Sequence, residues 1–587
     1  MLEYSSTFDG AAAYITHATA RRVSDGKVCE LPADVGGIVE FLNNSGAVYV
    51  WVWDISFFGG FLLHYALSNG LPTFEDVEKR KGGHGAAKPC YSALYGAAHG
   101  CLNFRLTLRR TAKTHDYGSG RIGGLHTVEY RGISPFFQHR PREEVEAHCG
   151  SGDLLAIYND FVRAYSDLSG ENVETFAYLR NVYTIGGAAR RRYLRERYGK
   201  TTLSPYHKEH PQDEECDDYF RARRLVLSGM CFFPTRTKGA PVRKRLFKYD
   251  VNSLYSATAN CAGDLTYPRE STWDEFMCDR TPNAVYIIVL RDFVAYRKRE
   301  MPNCFANPFN SDGGDIIQIK QQFAMFRELY FALHDYYNFE EFEVVRVFKM
   351  ERFDDPAMIR YNDFFASRKI AADVAGDGVG RMVAKLFMNN IIGKMIQNTK
   401  YVPVVPTYDP RENLVKFARG AVVDNWEKGH FHLVRGAYVY TLARVRMMND
   451  IRELLRLTDC PAEHHYYTDT DSIITDVAMP SEWIDAEAVG KYKVECEYDF
   501  FAAFAKKVYF GHTVEGENTL TAAGIKKGTV LEQISAAYGD LSAEEVFGVL
   551  SMPLKYVTRV QTQVCGGCAY VEMLVRIQDI DIEKGEF

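Results

Sequence analysis

Apolar and polar positions change their period several times along the chain, and each change predicts an element. Residues 47–67 read AVYVWVWDISFFGGFLLHYAL, long enough to span a bilayer. Asp54 in mid-stretch and the break at Gly59-Gly60 argue against a span, and β-branched and aromatic residues 48–53 predict a buried strand, then a turn and a helix. Residues 1 to about 205 mix short strands and helices. Residues 225–254 alternate apolar and polar (LVLSGMCFFP, then RLFKYDVNSLY) and predict strands. Residues 361–397 predict two helices joined at Gly376-Asp377-Gly378, residues 402–432 hairpins with Pro and Asp-Pro turns, and residues 437–457 a helix. The last forty residues read as a small α/β piece, and no internal repeat is visible.

Composition adds little to that picture, but charge distribution adds more. With 46% apolar and 25% charged residues among 587, the chain is neither disordered nor a small disulfide scaffold, and its length suggests roughly four structural units. The net charge of −6 excludes a histone-like protein that coats DNA by bulk charge. Locally the balance reverses: residues 79–121 hold nine Lys or Arg against one acid, residues 190–200 six against one, and residues 236–248 six against none. The DEECDD run, residues 213–218, reads as a solvated loop. Thirteen scattered cysteines, an odd number, read as reduced thiols of a cytoplasmic compartment, the interior of a bacterial or host cell. The lone CxxC, Cys565 to Cys568, reads as a Gly-Gly turn between strands more readily than as a zinc site. The first residues lack a signal peptide's basic start, and no membrane partner is expected.

Three segments carry chemistry. Tyr467-Thr468-Asp469-Thr470-Asp471-Ser472 lies between two β-rich runs, which makes a hairpin with carboxylates at its tip. Acids at i and i+2 point to the same side of a strand and repel unless a cation lies between them, although an acidic β-turn alone would read the same. Phe247-Lys248-Tyr249-Asp250-Val251-Asn252-Ser253-Leu254-Tyr255 is a strand ending in an acid, then a turn whose amides can cradle phosphate oxygens. A third carboxylate beside the hairpin would complete a two-metal site, whereas alone Asp250 would be a turn cap. Arg381, Lys385 and Asn389, spaced i, i+4, i+8, share one helix face, a basic stripe suited to a triphosphate or a solvated surface.

Together these segments resemble family B DNA polymerases: DVNSLY (250–255) as motif A, KLFMNNIIG (385–393) as motif B, YTDTDS (467–472) as motif C, and Lys507-Val508-Tyr509 as the KxY motif. The compact protein-primed enzymes of phages and linear plasmids are the most similar type, because residues 260–360 and 398–432 leave room for their two terminal-protein insertions. VQTQVCGGCAYVEMLVRI resembles their terminal hairpin. The resemblance implies an α/β (mixed α+β) right-hand fold. It places an exonuclease-like domain at 1–205, palm at 206–260 and 433–530, insertion and palm at 261–360, fingers at 361–397, the second insertion at 398–432 and thumb at 531–587.

It also implies roles. Asp250 and Asp471 would hold two Mg²⁺ ions (Mn²⁺ as an alternative), with Asp469 supporting and the Val251 carbonyl as a further ligand. Arg381 and Lys385 would neutralise the triphosphate, and Asn389, Ser253 and Leu254 would line the nucleotide site. Tyr255 would lie beneath the sugar and exclude a 2′-OH. Tyr467, Thr470, Ser472, Lys507 and Tyr509 would hold primer and DNA. Partners would be template and primer DNA, dNTPs and a terminal protein whose hydroxyl replaces the primer end. Motif B departs from Asn-Ser-x-Tyr-Gly, with Ile392 for the tyrosine; Ser256 replaces proline, and Leu227-Ser228-Gly229-Met230 replaces a Tyr-Gly-Gly element. The exonuclease motifs are degenerate: no DxE stands near Tyr4, Phe58 replaces the aspartate expected after Asp54, and Asp160 survives without its tyrosine, replaced by Ala156. The expectation is a DNA-directed DNA polymerase without proofreading, with single-stranded template guided by residues 79–121. A specialised or template-independent polymerase of defence or repair, and a non-catalytic nucleic-acid scaffold, are the alternatives; the intact carboxylate set counts against the scaffold.

Overall fold

The computed structural model describes residues 1–9, 12–80, 88–96, 100–111, 124–138, 142–149, 153–169, 182, 184–209, 219–225, 229–304, 315–397, 400–401, 404–424, 431–456, 458–522, 529–552, 556–564 and 567–575. The acidic run 213–218, Leu227, Ser228, Cys565 and part of the basic stretch 79–121 lie outside them.

At the N-terminus, β1 (Leu2–Asp9), β2 (Ala12–Arg21) and β3 (Val28–Leu31) form an antiparallel sheet. Helix α1 (Val35–Ser45) leads into a second sheet, β4 (Tyr49–Val52), β5 (Cys90–Gly96), β6 (Gly100–Arg109) and β7 (Leu125–Gly132), in the order β4-β7-β6-β5 with β4 parallel to β7. The apolar stretch 47–67 supplies β4 and α2 (Ile55–Ser68), the predicted strand and helix, but the break expected at Gly59-Gly60 does not occur: α2 runs through both glycines, and Gly59 lets the helix lie close on Cys101. Among the described residues no helix is long and apolar enough to cross a membrane. Helices α3 (Leu154–Ser169) and α4 (Ile185–Tyr198) follow. Thr184 caps α4 by accepting from Gly187 N, and Gly199 ends it with φ +65°, a conformation that costs glycine little.

Residues 225–254 are less strand-rich than their alternation predicts. Among its described residues only β8 (Cys231–Phe232) and β9 (Leu246–Val251) are strands, because Pro234, Gly239 and Pro241 interrupt the stretch, and Leu254 opens helix α5 (Leu254–Ala262). A six-stranded sheet is built on the long antiparallel pair β10 (Ala284–Arg297) and β11 (Tyr337–Phe353). Helices α6 (Pro356–Val374) and α7 (Gly378–Met395) match the predicted pair and its Gly-Asp-Gly joint. The first begins earlier than periodicity suggests because Asp355 caps it, accepting from Ala357 N and Met358 N, with Pro356 in the first turn. Asp355 is itself buried beneath Tyr193 and Arg435, so this cap joins α6 to α4 and to α8 (Leu433–Leu455). Between α7 and α8, β12 (Val404–Asp409) and β13 (Leu414–Arg419) form the predicted hairpin.

The largest sheet gathers strands from distant parts of the chain. Strands β14 (His465–Asp469), β15 (Ser472–Thr475), β16 (Tyr492–Ala505), β17 (Val508–Thr513) and β18 (Asn518–Ala522) join β8 and β9 in the order β18-β17-β16-β9-β15-β14-β8. Buried Tyr249, Val251, Leu254 and Ile473 pack with α8 residues Met447, Met448 and Ile451 in one core. A second core unites α3, α4, α6, α7 and α8, and a third fills the N-terminal sheets. After α9 (Ala543–Ser551), β19 (Tyr556–Val564) and β20 (Gly567–Val575) pair as the expected terminal hairpin, with Cys568 at the start of β20. Cys29, Cys90, Cys101, Cys149, Cys231, Cys261, Cys278, Cys304, Cys460 and Cys496 are free thiols.

Candidate active site

Two strand pairings bring the motif carboxylates together. Strand β9 lies between β16 and β15, so Lys493, Asp250 and Ser472 sit in one row across three strands. The β14–β15 turn has two central residues, Thr470 and Asp471, with Asp469 opposite Ser472. The expected i, i+2 alternation along a strand therefore does not apply, because Asp471 belongs to the turn. The tight turn depends on left-handed Thr470, φ +62°, and the charge of Asp250 reaches Asp471 there. Asp471 O accepts from Val251 N at 2.8 Å, which ties the turn to the end of β9. Thr470 N donates to Met230 O at 2.5 Å, and a Cβ at Gly229 would lie 2.6 Å from Thr470 Oγ1. Glycine at 229 is thus a steric requirement of the turn.

The carboxylates differ in their surroundings. Lys493 Nζ lies 3.2 Å from Asp250 Oδ2, and Lys507 Nζ 2.7 Å from Asp469 Oδ1. Glu495 adds a negative charge and is itself held by Lys248 at 2.8 Å and Lys493 at 3.5 Å. Burial, then Glu495, raises the Asp250 carboxyl above its ordinary value, against the pull of Lys493 and Lys248. Asp471 has no ion-pair partner among the described residues, and burial, then Asp250, pushes it up to about 7, with Asp469 and Glu495 adding to the shift. Two such carboxylates side by side call for a cation. Among the described residues no three His, Cys, Asp or Glu side chains form a metal cage. Mg²⁺ needs none, because it binds through one or two carboxylates and keeps water and substrate oxygens. Asp250 and Asp471 fit that mode, and Asp469 is occupied by Lys507.

Opposite lies a cationic face. On α7, Lys385 and Asn389 are exposed and Arg381 half-buried, whereas Met382, Val383, Ala384, Leu386, Phe387 and Met388 are buried, so the stripe read from the spacing is real. Arg381 Nε rests 3.0 Å from Asp373 Oδ1. From α6, Lys369 Nζ donates to Asn252 Oδ1 at 2.8 Å, and burial, then Arg381, Lys385 and Lys493, lowers its proton affinity. Sequence reasoning missed Lys369, Lys493, Glu495 and Lys248. Only the α6–α7 packing and the β9–β16 register place them, and neither is a local signal.

Tyr255, on the first turn of α5, lies against Tyr440 of α8 with centroids 4.8 Å apart, and the charges of Asp471 and Asp469 reach its hydroxyl. Ser253 has φ +57° and donates to Asn252 Oδ1, whereas the Leu254 side chain is buried under the site. The Tyr467 hydroxyl donates to Ala505 O at 3.1 Å and accepts from Lys507 N at 2.5 Å, and its ring lies 4.9 Å from Tyr509. Tyr467, Tyr509 and Ser472 are buried, so their side chains support Lys507 and the turn from below. Ile392 is likewise in the core.

In the N-terminal sheets Phe58 is fully buried, its ring 5.0 Å from Tyr4 and 6.1 Å from Tyr130. Asp54 O accepts the first helical bond of α2, from Phe58 N. Asp160 is paired with Arg163 at 3.1 Å, and Arg163 also reaches Asp377, the cap of α7, at 3.2 Å.

No protein-family model matches the sequence, and no curated protein matches it. Solved structures do match. Phi29 DNA polymerase complexed with primer-template DNA (post-translocation binary complex) aligns at TM-score 0.71 and 13% identity, covering 98% of this chain and 99% of that one. The same polymerase with primer-template DNA and incoming nucleotide substrates aligns at TM-score 0.70 and 14% identity, covering 98% of each chain. With single-stranded DNA it aligns at TM-score 0.71 and 14% identity, covering 98% and 99%. The chain shares this mixed α/β fold over 98% of its length.

Proposed function

We propose that this protein is a DNA-directed DNA polymerase, primed on a protein hydroxyl and lacking 3′–5′ proofreading. The observation that carries the reading is the pair Asp250 and Asp471, joined by β9–β15 pairing and faced by the cations of α6 and α7. Phosphoryl transfer needs positioning and charge stabilisation more than covalent help, and this site offers both. Lys369, Arg381 and Lys385 would take the triphosphate, Arg381 leaving Asp373 to do so. Asn389 and Ser253 would border the nucleotide. Tyr255, backed by Tyr440, would close the space at the sugar's 2′ position. Lys507, fixed by Tyr467 and Asp469, would face the primer end, with Thr470 at the turn beside it. Two divalent ions, Mg²⁺ or Mn²⁺, held by Asp250, Asp471 and the Val251 carbonyl with Asp469 in support, would clamp the attacking and leaving oxygens.

Two features support the finer parts. The reading would make the six-stranded sheet within 261–360 and the hairpin within 398–432 the two terminal-protein insertions, with fingers in 361–397, palm in 206–260 and 433–530 and thumb in 531–587. In the exonuclease-like part, 1–205, an aromatic and aliphatic core surrounds Phe58 at the position expected for an acid, and Asp160 is engaged by Arg163. Extension of a primed template with Mg²⁺ tests the polymerase reading. Wild type should extend, and Asp471→Asn should be slower by ~10³-fold or more. Equal behaviour of the two proteins would sink it. Transfer of dNMP to a partner protein tests priming, and release from a 3′-labelled strand would refute the absence of proofreading.

A further inference from the structure

The basic run 190–200 is not one surface. Arg192 pairs with Glu196, and Arg197 with Glu209 and buried Asp264. Arg190 differs. It is partly buried, and among the described residues no carboxylate pairs with it. Lys394, near the end of α7, packs against the same side of α4, and the Arg190 charge reaches it. Gly186, one turn before Arg190, makes room for it: a Cβ there would lie 2.8 Å from Lys394 Cε and 3.5 Å from Asn390 Oδ1. The Lys394 ammonium donates to the neutral Gln397 Oε1 at 2.6 Å, and among the described residues no carboxylate pairs with it. Burial and Arg190 together lower its pKa to about 8.

Two partly buried like charges with no carboxylate partner among the described residues destabilise the free protein. A bound anion removes that cost, and a guanidinium beside an ammonium suits a phosphate oxygen pair. Lys394 lies thirteen residues beyond Arg381 on the same helix, ~20 Å along its axis, too far to serve the same triphosphate. We infer that Arg190 and Lys394 form a phosphate site for the backbone of the bound DNA strand, separate from the nucleotide cations. This rests on the polymerase reading above.

The test is anisotropy with labelled primed DNA bearing a 5′ overhang, without nucleotide, across a salt series, for wild type, Arg190→Gln, Lys394→Gln and the double variant. The double variant should bind roughly 5- to 20-fold more weakly, and its log Kd–log salt slope should fall by about 1. Its thermal midpoint should stay level or rise, since a repulsion has been removed, so weaker binding would not reflect unfolding. Lys394→Arg should retain affinity. Unchanged Kd and slope in the double variant overturn the site, as does a loss of affinity that follows a fall in thermal midpoint. Wild type that binds no DNA would overturn the polymerase reading with it. Wild type that extends primers while the variant binds normally would overturn this inference alone.

Discussion

Lys493 stands directly across from Asp250 on the neighbouring strand, its ammonium 3.2 Å from the carboxylate. It supplies from within the protein the positive charge that a metal would bring. Lys493→Met should therefore lower the thermal midpoint in EDTA by about 1–3 °C, and saturating Mg²⁺ should narrow the gap. Scanning fluorimetry with and without the ion checks this; an equal gap in both conditions would show that Lys493 does not share a role with the cation.

Asp471 is buried beside Asp250 and Asp469 with no ion-pair partner among the described residues. Asp471→Asn removes a repulsion, so the variant should melt at least as high as wild type in EDTA while primer extension falls ~10³-fold or more. Mg²⁺ should raise the midpoint of wild type more than that of the variant.

Gly229 touches Thr470 in the 470–471 turn. Gly229→Ala drives a methyl against Thr470 and should cut extension by about 10-fold or more with the fold retained. Thr470→Gly removes the obstructing side chain and suits the positive φ, so the double variant should recover part of the loss. Single-turnover rates of the four proteins decide it.

His465 is fully buried, its ring stacked on Phe232 and its Nε2 2.8 Å from Thr468 Oγ1. Burial, then Arg236, lowers its pKa from 6.5 to about 3. The unfolded chain binds a proton near pH 6.5 that the folded chain refuses, so stability is full above 6.5 and declines as pH falls toward 3, by about 1.4 kcal/mol per pH unit. His465→Gln should flatten the drop in thermal midpoint between pH 7 and pH 5.

Restoring an acid at position 58 should not restore a nuclease. Phe58 is enclosed by Tyr4, Phe61 and Tyr130, so Phe58→Asp buries an unpaired carboxylate and should destabilise the N-terminal sheets by roughly 3 kcal/mol or more. A 3′-labelled strand should stay intact. Cleavage that also survives Asp250→Asn would refute the prediction.

Much of the fold was legible because it is periodic. The β4–α2 stretch, the α6–α7 pair, the 404–419 hairpin and the acidic turn each declare themselves within about twenty residues. Residues 225–254 misled because alternation there competes with prolines and a glycine that stop strands from forming. Identities were also legible. Which aspartates the strand pairing brings to one sheet end, and which residues form the stripe on α7, can be read from residue types at motif spacing. Tertiary structure decided what surrounds them. Lys493 reaches Asp250 through strand register, Lys369 reaches Asn252 through helix packing, and Gly229 shapes the 470–471 turn from some 240 residues away. A side chain's chemistry is local and survives in the sequence. Its burial and charge environment depend on contacts between distant segments, and only the folded chain brings those together.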